Sequence, residues 1–297
     1  MQYNYSIIIP HHNCPRLLKR CLDSIPQRED TEIIVVDDNS DADKKPLIER
    51  EDVKLVSLMA QESRGAGHAR NVGMEKAEGK WIVFSDADDY FVPNILNALD
   101  NVINSNLDVI YFPALSVDND TMESLPHLLS SQNRCFEDYN GDKYAADVIK
   151  FRLHSPWWKI VRHDFIKEYH ILFEAVPKGN DIFFSYQVGY FAKNITVEKR
   201  PLYVHTYNRH GISYGKKNLN IRVSSLIQRY KMNKFYAFIG YPKWKKSILG
   251  YLYEVLKYDG LLLFMQTLTY LFCHLSYVKK SEDDYVTAIK EKNKNTD

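Results

Sequence analysis

The sequence predicts an α/β fold, a mostly parallel, doubly wound sheet flanked by helices and followed by a helical C-terminal appendage. Three observations predict it. Short apolar runs alternate with helical periodicities through the first 115 residues, polar and acidic residues follow several of these runs, and from about residue 218 the pattern becomes helical.

The apolar runs are Ser6–Ile9, Ile33–Val36, Leu55–Leu58, Trp81–Phe84 and Val109–Phe112, rich in β-branched and aromatic residues as buried strands are. Between the first two, Leu17, Leu18, Cys21, Leu22 and Ile25 share one helical face, with Asn13 as cap and Pro15 in the first turn. Ile95, Leu96, Leu99, Val102 and Ile103 repeat that spacing after Pro93. Strand–helix alternation implies right-handed βαβ units. Ligands of such sheets bind beyond the carboxyl ends of the strands. That rule selects Pro10–Asn13, the run Asp37-Asp38-Asn39-Ser40 and the run Ser85-Asp86-Ala87-Asp88-Asp89, which puts two aspartate clusters on one rim.

With 45% hydrophobic residues the chain can bury a sizeable core, and no Pro/Gly/Ser-rich stretch marks a linker. Cys14, Cys21, Cys135 and Cys273 have neither metal-ligand spacing nor the density of a disulfide scaffold, so they read as free thiols in a reducing compartment. The N-terminus lacks the pattern of a signal peptide, and a cytoplasmic protein is expected. A net charge of +1 argues against a nucleic-acid binder. The charge is unevenly spread: residues 1–215 carry 24 basic and 31 acidic side chains, residues 216–297 carry 15 and 7. An acidic front and a basic tail suggest two roles.

Asp86, Asp88 and Asp89 form the sharpest chemical feature. Two carboxylates about 4 Å apart repel by roughly 4 kcal/mol at an effective dielectric near 20, so such a cluster calls for a cation or for water. Aspartates at alternate positions offer oxygen to Mg²⁺ or Mn²⁺, with phosphates completing the shell. The alternative is an acidic loop in which Asp89 caps the next helix. Asp37 and Asp38 suit hydrogen bonding to a base or ribose, and equally an Asx turn. Gly65-Ala66-Gly67-His68-Ala69-Arg70 opens a helix but has Arg70 where a dinucleotide loop needs its third glycine, which disfavours a Rossmann dehydrogenase. Its N–H groups and the Arg70 fork suit phosphate or base contacts, or the glycines serve only a turn. Asp181, in Lys178-Gly179-Asn180-Asp181-Ile182-Phe183-Phe184, is a candidate general base or a helix cap. His11, His12, His205 and His210 match no zinc spacing and read as polar residues near the site, with His205 the foremost.

Together these stretches resemble glycosyltransferase family 2, the inverting enzymes of GT-A fold. The resemblance is carried by Ser6-Ile7-Ile8-Ile9-Pro10 with Asn13, by Glu32 through Ser40, by Gly67-His68-Ala69-Arg70-Asn71-Val72-Gly73, and by Ala77 through Asp89. Gly179-Asn180-Asp181-Ile182-Phe183-Phe184 is similar to the family's acidic motif, and Pro201-Leu202-Tyr203 through Arg209 and Ser213 to its closing segment. Asn180 departs from the pattern, standing where most relatives have Glu; it keeps hydrogen bonding and loses charge.

The resemblance implies a catalytic domain over 1–215, with a nucleotide-sugar-binding half at 1–115 and an acceptor half at 116–215, and a basic, amphipathic helical region at 216–297. Pro10, Asn13, Asp37, Asp38, Arg70 and Asp86 would bind the nucleotide, Asp88 the metal, Mn²⁺ or Mg²⁺, and Asp181 would be the base. Asp89 and His205 are further candidates. The implied reaction moves a hexosyl or N-acetylhexosaminyl group with inversion from a nucleotide-diphosphate donor, a UDP-sugar, to a saccharide or lipid-linked acceptor in polysaccharide or glycolipid assembly. Two rivals stand beside it. One is a non-catalytic sugar-nucleotide-binding protein; the other is a phosphohydrolase with an Asp-x-Asp motif, which normally follows a first strand rather than a fourth apolar run.

In the tail, residues 216–260 hold ten basic and two acidic side chains. They precede a continuous apolar stripe at Leu261, Phe264, Met265, Leu268, Leu271, Phe272 and Leu275. Gln266, Thr267, Thr269, His274 and Ser276 interrupt the segment 260–278, which disfavours a true span. An interfacial helix on the inner face of the plasma membrane and burial against protein both fit the pattern.

Overall fold

The computed structural model describes residues 3–93, 95–100, 103, 105–208 and 217–294. Val102, Arg209, His210 and Ser213, named above, lie outside the described residues. Two compact units emerge: the first is 1–175 with 183–208, the second 176–182 with 209–297.

The first unit is built on a seven-stranded sheet. Four apolar runs become β1 (Tyr5–His11), β2 (Thr31–Asp37), β3 (Val53–Ser57) and β4 (Trp81–Phe84), parallel and ordered β3-β2-β1-β4. Every residue of β1, β2 and β4 is buried, which is why their sequences are nearly unbroken apolar runs. Pro10 lies beyond the last β1–β4 pair, Ile8 with Phe84, so on that side no ladder bond is lost to its missing N–H. Helix α1 (Pro15–Asp23) follows β1, and α2 (Ala66–Lys76) follows β3.

Beyond β4 come β5 (Tyr90–Phe91), α3 (Ile95–Leu99), β6 (Val109–Tyr111) and β7 (Ala114–Asp118). Then follow α4 (Ser130–Glu137), α5 (Lys143–Arg152), β8 (Lys159–Arg162) and α6 (His163–Glu168). The first unit ends with most of α7 (Asn180–Phe191), β9 (Ile195–Val197) and β10 (Tyr203–Tyr207). β8 inserts antiparallel between β4 and β6, so the fifth apolar run, β6, is separated from the fourth, and β9 closes that edge parallel to β6. A second sheet, β5-β10-β7, was not expected from periodicity.

Two local expectations are corrected. Asn13 does not cap α1: Cys14 holds that position without a side-chain bond, while Asn13 takes φ 58° and ties its amide to Asp41. Left-handed backbone is accessible to Asn because its short side chain bonds locally. Asp89 does not cap a helix either; it is consumed by β10, as described below.

The second unit is helical: α8 (Leu219–Phe238), α9 (Ile248–Asp259), α10 (Leu261–Cys273) and α11 (Leu275–Lys294). Asn218 and Ser247 cap α8 and α9 by accepting the Ile221 and Gly250 N–H groups. Leu226, Tyr251, Leu252, Val255 and Leu271 form the core of α8, α9 and α10, and Phe235 meets Tyr285 edge to face where α8 packs on α11. The apolar stripe from Leu261 to Leu275 is not one helix, because the chain bends by 73° between α10 and α11.

Candidate active site

The carboxyl ends of β1, β2 and β4 meet at one rim, and most of the candidate residues lie there. At the end of β2, Asp37 is buried opposite His11, its register partner, whose Nδ1 is 3.0 Å from the Asp37 carboxylate. Ser40 donates to the same oxygen at 2.5 Å, and the Asn13 N–H donates to Ser40 at 2.9 Å. Burial lowers the His11 pKa despite Asp37 beside it, so the ring is held neutral. Asp37 therefore braces the loop from beneath. Asp38 turns towards α2, and its two oxygens accept the N–H groups of Arg64 at 3.3 Å and Gly65 at 2.8 Å. Gly65, at φ 84°, is the residue that lets this chain turn into α2.

Arg70, on the buried face of α2, donates to Asp86 at 2.5 Å and lies 5.3 Å over the Phe173 ring. Asp86, Asp88 and Asp89 follow β4, with ligand atoms within 4.8 Å of one another. The three carboxylates have different surroundings. Asp89 is 1% exposed and saturated: Tyr203 Oη donates at 2.9 Å and the Thr206 N–H at 2.6 Å, and His205 Nδ1 is 3.2 Å away. Asp86 gives one oxygen to Arg70, and its N–H donates to Tyr203 Oη at 3.0 Å. Among the described residues no other side chain donates to the Asp88 carboxylate. Its backbone carbonyl is held instead, by Arg20 at 2.6 Å and Thr206 Oγ1 at 2.5 Å.

This asymmetry sets the electrostatics. Burial, then Asp89 and Asp86, push the Asp88 carboxyl up to about 7. Burial opposes a charge on His205, yet the Asp89 hydrogen bond and charge outweigh it and raise the His205 pKa. A divalent cation fits this donor set: hard oxygens converge from one loop, and the carboxylate with no side-chain donor is also the one whose charge is most opposed. Asp88 and the second oxygen of Asp86 would hold the ion, with Asp89 fixing the loop.

Trp157 stacks on Tyr203 at 5.0 Å and on His205 at 5.4 Å. Its turn is pinned by the buried Lys159, whose ammonium donates to the Leu153 and Ser155 carbonyls and the Ser185 hydroxyl. Arg20, Thr206 and Trp157 were not among the residues selected from sequence. Arg20 carries no motif, and Thr206 acts from a strand that only pairing with β5 and β7 reveals. Asp181 lies in the first turn of α7, a carboxylate where the helix dipole favours one, and in the stretch 176–182 that groups with the second unit.

The chain thus has an α/β sheet with an acidic cluster beyond β4, one member of which, Asp86, pairs with Arg70. Residues 6–169, more than half of the chain, match the family described as glycosyl transferase family 2, and the chain belongs to that family. A candidate glycosyltransferase of Bacillus subtilis (strain 168), EpsH, is 26% identical over 239 residues, 77% of this chain and 64% of EpsH. An uncharacterized glycosyltransferase of Escherichia coli (strain K12), YibD, is 26% identical over 268 residues, 85% of this chain and 77% of YibD. Among solved structures, S. aureus TarS 1–349 in complex with UDP-GlcNAc superposes with a TM-score of 0.61 at 18% identity, covering 98% of this chain and 92% of that one. That likeness shows the GT-A fold.

Proposed function

We propose that the protein is a metal-dependent, inverting glycosyltransferase that moves a sugar from a UDP-sugar to an acceptor hydroxyl in polysaccharide or glycolipid assembly. The observation that carries this reading is the unequal acidic cluster, in which Asp86 and Asp89 are engaged and Asp88 is the carboxylate left to a cation. The UDP-GlcNAc held by TarS supports a nucleotide-sugar donor of the same kind here.

In this reading Pro10, Asn13, Asp37 and Asp38 shape the nucleoside side of the rim, Asp37 by holding the His11 and Ser40 side chains and Asp38 by holding backbone N–H groups, rather than by open carboxylates. Arg70 orients Asp86 towards the ribose. A divalent ion at Asp88, when bound, neutralises charge on the departing diphosphate. The acceptor oxygen forms its bond to the anomeric carbon as the carbon–phosphate-oxygen bond breaks, and Asp181, by its motif, takes the hydroxyl proton.

Calorimetric titration of UDP with and without Mn²⁺ tests the reading. Metal-dependent binding by the parent, lost in Asp88→Ala, is the expected outcome. No UDP binding by the parent in Mn²⁺ would overturn it.

A further inference from the structure

The helical tail carries an apolar surface that its own core leaves uncovered. In α9, Tyr251, Leu252 and Val255 face inward, whereas Leu249, Tyr253 and Leu256, spaced i, i+4 and i+7, form an outward stripe. In α10, Thr267 and Leu271 are buried, while Leu261, Leu262, Met265 and Phe272 face out. Exposure reaches 79% at Leu249, 74% at Leu262 and 73% at Phe272. Exposed apolar stripes on two neighbouring helices mark an interaction surface rather than ordinary scatter.

Exposed lysines rim it. Lys243, Lys245 and Lys246 precede α9, Lys257 is adjacent to Leu256, and Lys279 and Lys280 follow Tyr277 in α11. Three acids of the unit are turned to basic partners: Asp259 to Arg222, Asp283 to Lys234, and Glu254 lies 3.9 Å from Arg229. Glu282 lies near Lys245 and Lys279, and residues 216–297 carry 15 basic against 7 acidic side chains, so the unit as a whole is positive.

We propose that the outward face of α9 and α10 seats the protein on an anionic lipid bilayer, lying in the headgroup interface without crossing it. Length supports the geometry: α9 has 12 residues and α10 has 13, about 20 Å each against the roughly 30 Å of a hydrocarbon core. No single described helix is long and apolar enough to cross a membrane; α10 and α11 reach that length and hydropathy only together, across a 73° bend. Apolar side chains inserted to shallow depth, tyrosines at their margin and lysines reaching lipid phosphates are the elements of interfacial binding. A second copy of the chain fits less well, because pairing this face with itself would oppose lysine to lysine. The inference rests on the second unit alone and holds whatever the donor sugar.

The test is sedimentation of the full chain with vesicles of phosphatidylcholine alone or with about one third phosphatidylglycerol. Two variants with unchanged melting accompany it, Leu262→Glu/Phe272→Glu and Lys245→Glu/Lys246→Glu/Lys257→Glu. The parent should sediment with anionic vesicles only, less so at about 0.5 M salt, and each variant should bind at least about tenfold more weakly. A parent that stays in the supernatant, or variants that bind as the parent does, would overturn the proposal. So would a solution dimer that Leu262→Glu dissociates with no vesicle binding by either protein, since a second copy would then cover the face.

Discussion

Asp89 accepts the Thr206 backbone N–H at 2.6 Å and lies 3.2 Å from the Thr206 hydroxyl, a link across 117 residues of sequence. With Tyr203 Oη at 2.9 Å, it ties the loop after β4 to β10 in the second sheet. Asp89 is thus the aspartate of the cluster that holds structure, while Asp86 is held by Arg70.

Asp89→Asn should be costly although it changes no volume. One side-chain oxygen becomes an NH₂ facing N–H and O–H donors, so at least one buried donor loses its acceptor. A buried donor left unsatisfied costs about 2 kcal/mol. The melting temperature should fall by roughly 5 °C, read by circular dichroism. An unchanged midpoint would mean that the Thr206 contact is dispensable.

Asp88 gives the opposite expectation. Burial and its acidic neighbours push the folded carboxyl up to about 7, whereas an unfolded aspartate releases its proton near the ordinary 3.8. Between those values the folded state binds more protons, so this group's contribution to stability falls as pH rises and levels off above the folded value. In metal-free protein Asp88→Asn should remove that decline, leaving the variant at least as stable as the parent at neutral pH. Saturating Mn²⁺ should stabilise the parent and leave Asp88→Asn little changed. Parallel melting curves for the two proteins across this pH range would contradict the account.

Two glycines of the matched motifs should differ in sensitivity. A Cβ on Gly79 would sit 2.7 Å from both the Ser6 nitrogen and the Tyr5 carbonyl carbon, backbone of the interior strand β1 that cannot retreat. Gly79→Ala should cost about 3 kcal/mol in denaturant unfolding. At Gly73, inside α2, the Cβ would crowd the Cγ2 branch of the buried Ile8, which must shift, but this is side chain rather than backbone, and alanine's helix propensity returns up to about 1 kcal/mol. Gly73→Ala should therefore cost clearly less, and equal losses would refute the distinction.

How legible these features were depended on the range of the interaction. β1, β2 and β4 could be read as apolar runs because burial on both faces leaves an unbroken hydrophobic signature, whereas β3 has no fully buried residue and was read two residues late, at Leu55–Leu58. The reading ended β1 and β2 short of His11 and Asp37, polar residues that stay in register by bonding each other. The Asp86–Asp89 cluster was visible as a strand end, but not its division of labour, which Thr206, Tyr203 and Arg20 impose from distant segments. β5 is two residues long and β7 alternates with exposed positions, too little for periodicity to register. The tail's helices were visible, whereas the break after Cys273 was not, because apolar residues continue through it.

Asp181 separates a chemical role from a structural one. It is partly exposed in the first turn of α7, where any carboxylate gains a little from the helix N-terminus. If it takes the acceptor proton, Asp181→Asn removes the carboxylate that receives it while leaving donor binding alone. Turnover should then fall by about 10²–10⁴-fold, with UDP affinity in Mn²⁺ within about twofold of the parent and an unchanged fold. Asp181→Glu should retain part of the lost rate, since it keeps the carboxylate at a shifted position. If Asp181 merely supports the helix, the amide should lower the melting temperature by less than about 2 °C and spare turnover. Full activity in Asp181→Asn would remove the base from this residue.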